Sequence, residues 1–73
     1  MNPTELKKHL EIIQTLIENG NYQHLTTELS IDNHQFRYHV SYDDRSACYE
    51  VKVSFCDGGT GFIETVLELE LVP

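Results

Sequence analysis

Long apolar runs are missing from this chain. No stretch approaches 18 residues, so no membrane-spanning helix is expected. The opening MNPTELKKHLEII lacks a continuous apolar core, so no cleaved signal is expected either. Proline and glycine are sparse, at two and four residues, and no linker, repeat or low-complexity tract interrupts the 73 positions. A chain this short has room for one hydrophobic core, so residues 1–73 are read as a single small domain. Cysteine is limited to Cys48 and Cys56. Both fall on one expected strand, where eight residues span roughly 26 Å, too far for an intrachain bridge. Two free thiols indicate a reducing compartment, so a cytoplasmic location is expected.

Positive charge is scarce as well. Five basic residues stand against twelve acidic ones, for a net charge of −7. This balance excludes a conventional phosphate-binding surface, so no direct nucleic-acid partner is expected. It favours a basic protein partner, including a protein that itself binds nucleic acid. The stretch DGGTG lacks the Gly-Lys-Ser/Thr ending of a phosphate loop, and it precedes an alternating segment instead of a helix. It is read as a hairpin turn.

Apolar periodicity is plentiful. Leu6, Leu10, Ile13 and Ile17 recur at helical spacing over residues 2 to 19, and Ile12 and Leu16 widen the stripe. Asn2 is suited to the N-cap, Pro3 to the first turn and Glu5 to the capping-box position. Asn19-Gly20-Asn21 stops the helix, with Gly20 as the left-handed cap, and Tyr22 is expected to cover the core edge. Four alternating segments follow. LTTELSI forms a first strand, 35–42 a second, 46–56 a third, and a segment around 62–71 the fourth. The expected fold is therefore α+β: a helix packed on a four-stranded antiparallel meander.

Registers follow from parity. A two-residue Asp32-Asn33 turn sets Leu29 opposite Phe36 and Glu28 opposite Arg37. A two-residue Asp43-Asp44 turn sets Val40 opposite Ala47, Arg37 opposite Glu50 and His39 opposite Cys48. The last hairpin needs an odd-length loop within 57–61, with a glycine bulge at Gly59 or Gly61. Phe55 then meets Ile63 and Val51 meets Leu67.

These registers define the candidate sites. Glu50, Glu64, Glu68 and Glu70 are expected together on the outer sheet face, with Asp43 and Asp44 at its rim. Val66 is expected near the centre of the fourth, edge strand, where a second copy of the chain would pair. The resulting expectation is a small acidic protein-binding or regulatory protein without enzymatic activity or cofactor. Its specific form would be an inhibitor that occupies a basic, nucleic-acid-binding surface of its target. Two other classes compete with it. One is an oligomerisation module that uses an edge strand. The other is a small Cys-His or metal-dependent protein built on His39, Cys48 and Glu70, although an open sheet face offers no pocket for catalysis. His9, inside the apolar arc of the helix, is expected as a boundary or hydrogen-bonded histidine instead of a ligand.

Overall fold

Asn2 starts the first element as its chemistry requires. In the computed structural model, which describes residues 2–19 and 24–72 but not the side chain of His24, Asn2 Oδ1 accepts the Glu5 amide at 2.8 Å. The Asn2 carbonyl accepts the Leu6 amide at 3.0 Å. The first of these bonds satisfies a donor that a helix start leaves open and the second is the first rung of the helical ladder, and α1 runs Pro3–Asn19. The expected Gly20 cap and Tyr22 cover lie outside the described residues.

Four strands follow in chain order: β1 His24–Ile31, β2 His34–Asp43, β3 Cys48–Asp57 and β4 Phe62–Leu71. They form one antiparallel sheet of order β1-β2-β3-β4, the expected meander. The first turn follows the expectation. Asp32 and Asn33 take φ of 51° and 67°, which both residue types tolerate, and Leu29 faces Phe36 while Glu28 faces Arg37.

The second turn differs. Its loop is the four residues 44–47, and Asp43 pairs with Cys48. Val40 therefore faces Val51 instead of Ala47, and Arg37 faces Ser54 instead of Glu50. The reason is local. The Asp43 carboxylate accepts the Arg45 amide at 2.9 Å and the Ser46 hydroxyl at 3.0 Å, so it holds the loop instead of forming its tip. Ala47 turns the chain back with φ 52° and leaves the apolar face altogether. The slip is four residues, an even number, so every strand side chain keeps its face. It also brings like to like, with Phe36 opposite Phe55 and Tyr42 opposite Tyr49.

The third hairpin restores parity at a different place. Its loop is the even-numbered 58–61, closed by the Gly61 amide donating to the Asp57 carbonyl at 2.8 Å, with Gly61 at φ 74°. The odd residue sits inside β4. Val53 pairs with Leu67 and Ser54 with Thr65, which leaves Val66 as a bulge. Beyond it Val51 meets Leu69, not Leu67, and before it Phe55 meets Glu64, not Ile63.

The core lies between α1 and one sheet face. Ile13, Phe36, Tyr38, Val40, Val51 and Val53 are buried, and Ile12, Leu16, Leu67 and Leu69 pack around them. Burying a side chain the size of Phe36 contributes roughly 1.5–3 kcal/mol. Glu50 is exposed and lies on the opposite face, between Ser41 and Glu70.

Candidate docking face

The outer face is built from the even positions of β3 and their partners. One row reads Thr26, His39, Lys52 and Glu68, and the next reads Ser41, Glu50 and Glu70. These two rows line a shallow depression with His39, Ser41, Glu50, Lys52, Glu68 and Glu70 around it. Lys52 Nζ stands 4.0 Å from Glu68 Oε1. Glu50 and Glu70 are directly opposite one another, and neither is in an ion pair among the described residues. His39 Nδ1 and Thr26 Oγ1 share a hydrogen bond of 3.0 Å. Arg37 belongs to a separate row, where its Nε and Nη2 donate to Glu28 Oε1 at 3.1 and 3.0 Å.

The structure brings together three of the four expected glutamates. Glu50, Glu68 and Glu70 share the outer face, whereas the bulge turns Glu64 to the other side. There Glu64 lies opposite Phe55 and beside Glu5 and Phe36 at a second depression. Val66 packs against the core. Asp43 stays at the rim and is engaged in the turn, and Asp44 is exposed in the loop.

The His39–Cys48 adjacency is not formed. His39 faces Lys52, and Cys48 faces Asp43 with its Sγ 3.0 Å from Ser46 Oγ. Cys48 is 4% exposed, and both cysteines are free thiols. A nucleophile and its base need hydrogen-bond contact, which these two rows do not provide. Among the described residues no group of three or more His, Cys, Asp or Glu side chains is placed to hold a metal ion. No described helix is long and apolar enough to cross a membrane.

The most constrained polar pair lies on the opposite side of the sheet. His9 of α1 is 1% exposed, and its Nδ1 is hydrogen-bonded to the Tyr38 hydroxyl at 2.6 Å. Its ring meets Phe36 edge-on with centroids 4.7 Å apart. Burial pushes the His9 pKa below its ordinary value, against a smaller opposing pull from Glu5. Burial also raises the Tyr38 phenol to about 12, so this hydroxyl stays protonated. The place of His9 in the apolar arc signalled a hydrogen-bonded residue. Its partner was hidden, because Tyr38 alternates in β2 like any core aromatic.

An α-β-β-β-β chain with a helix on one sheet face and carboxylates on the other is thus the class that fold and surface define. Comparison with protein-family models, curated protein sequences and solved structures found no match to any of them.

Proposed function

We propose that this chain is a small acidic regulatory protein that binds a basic partner protein through the outer face of its sheet. The observation that carries this reading is the Glu50–Glu70 pair. Directly opposed side chains have Cβ atoms about 4.5–5.5 Å apart, and like charges at that spacing destabilise a sheet. A lysine or arginine from a partner would remove that repulsion and gain two carboxylates, with Glu68 in the adjacent row. Inhibition then follows as simple competition: the acidic face occupies a basic surface that nucleic acid would otherwise use. The two free thiols support a reducing, cytoplasmic setting for this binding.

The experiment is affinity capture from the native host, with mass spectrometry and then titration of the identified partner. Binding is expected to weaken as salt rises. The triple change Glu50→Lys, Glu68→Lys and Glu70→Lys is expected to abolish it, while Glu64→Lys, on the other side of the sheet, leaves it intact. Salt-independent binding that survives the triple change would reject the acidic face.

A second reading is supported by the sheet edges. β1 and β4 each have only one neighbour, and an open edge offers unpaired backbone groups to another strand. The chain is accordingly proposed to form a homodimer by edge pairing, the oligomerisation role set against docking above.

A further inference from the structure

The two open edges are not equivalent. β4 is broken by the Val66 bulge, which disturbs the run of outward backbone groups. It also carries Glu64, Glu68 and Glu70, with Lys52 at 4.0 Å from Glu68 as compensation. β1 runs eight residues with no register shift. Its carboxylate, Glu28, is clamped by Arg37, and Asp32 just past its end takes Lys8 Nζ at 3.0 Å. For a chain of net charge −7, a second copy meets least repulsion along the edge whose charges are already compensated.

We infer that a second copy of this chain pairs antiparallel along β1, about a two-fold axis through Thr27. This rests on the homodimer reading above and names the edge and register. In the two-residue Asp32–Asn33 turn, Ile31 and His34 form the closing bonded pair, so Leu25, Thr27 and Leu29 bond toward β2. Thr26, Glu28 and Ser30 consequently direct their N–H and C=O groups outward. An axis at Thr27 pairs Thr26 with Glu28 of the partner subunit, and Thr27 with Thr27 of the partner subunit. On the helix side it pairs Leu25 with Leu29 of the partner subunit, twice. An axis at Glu28 would set that glutamate against its own copy, and an axis at Leu29 would set Ile31 against a threonine. Within β1, Thr27 alone among these both opposes no like charges and sets no leucine or isoleucine against a threonine.

The packing beside β1 fits the same occupant. Ile12 and Leu16 of α1 line a groove with Leu29 and Ile31, and Leu29 is 37% exposed although it lies on the core face. A two-fold axis perpendicular to the sheet keeps both helices on one face. The two grooves then close over the seam of an eight-stranded sheet, and the apolar flank that one chain leaves open is covered by its copy.

Sedimentation equilibrium of the full chain at micromolar concentration, with intermolecular disulfide formation as a second readout, tests this. The wild type is expected to be a dimer. Leu29→Lys is expected to raise the dimer dissociation constant by about a hundredfold or more, since the change enters a two-fold interface twice. Ile63→Lys, on exposed β4, should leave it unchanged. Thr27→Cys should give a cross-linked dimer on mild oxidation, because the paired Cα atoms at the axis fall within disulfide range. A monomeric wild type would overturn the homodimer reading and this inference together. A dimer that survives Leu29→Lys, or that is lost on Ile63→Lys, overturns the β1 assignment alone. Cross-linking through Leu29→Cys but not Thr27→Cys overturns the register, and it does so even if Leu29→Lys fails to fold.

Discussion

Mild acid is expected to loosen the helix from the sheet through a single side chain, His9. In the folded chain His9 is 1% exposed, held between Tyr38 and Phe36, and its pKa is lowered by burial. In the unfolded chain the imidazole returns to a pKa of about 6.5. The unfolded state therefore binds more protons than the folded state between that value and the lowered one. Stability supplied by neutral His9 is complete above about pH 6.5 and is lost as pH falls toward the folded pKa. Uptake of one proton sets the steepest loss at about 1.4 kcal/mol per pH unit. A chain of this length has a total stability of roughly 4–11 kcal/mol, so one such pH unit is a sizeable share of it. The assay is urea unfolding followed by far-UV circular dichroism at steps between about pH 5 and 7.5, above the range where ordinary carboxylates titrate. The comparison is the double variant His9→Leu with Tyr38→Phe. Either change alone leaves a buried polar group unpartnered, at a cost of about 1–3 kcal/mol, whereas removing both partners avoids that cost. The three other histidines remain in both proteins, so the difference between the two pH profiles reports His9. A double variant with the same acid loss as the wild type would refute the argument, as would a wild type that gains stability across this window.

Two smaller effects follow from the hairpins and the sheet surface. Ala47→Gly is expected to stabilise the fold by roughly 0.5–1 kcal/mol in urea unfolding, because an alanine at φ 52° carries a steric cost that glycine lacks, partly offset by the greater freedom of unfolded glycine. Arg37→Ala is expected to cost less than about 1 kcal/mol, since its pair with Glu28 is half-exposed and screened by solvent. A loss several times larger would mean that this pair carries more of the sheet than its exposure allows.

Periodicity made the layers legible. The helical spacing of Leu6, Leu10, Ile13 and Ile17 and the alternation of Phe36, Tyr38, Val40 and Tyr42 led directly to α1 and β2, and both lie where expected. The Asp32-Asn33 turn was equally readable, since two adjacent residues that tolerate positive φ leave one tight geometry. The outer face was legible only in part. Glu50 and Glu68 keep their predicted side because any even slip preserves it, but their neighbours changed with the register. Arg37, expected between Glu28 and Glu50, lies between Glu28 and Ser54.

Side-chain chemistry along the chain thus determined the elements, their order and the inward face of each apart from the first half of β4, because burial of apolar side chains imposes periods of 3.6 and 2 that can be counted. Alignment between strands was decided in three dimensions. Alternation is blind to an even slip, and an asparagine-like turn at Asp43 together with the match of Phe36 to Phe55 selected one register from several with the same faces. Tertiary packing likewise put the odd residue at Val66 instead of in the glycine loop, and so moved Glu64 away from the other carboxylates. It also brought His9 to Tyr38, a contact between residues 29 positions apart that no local pattern encodes.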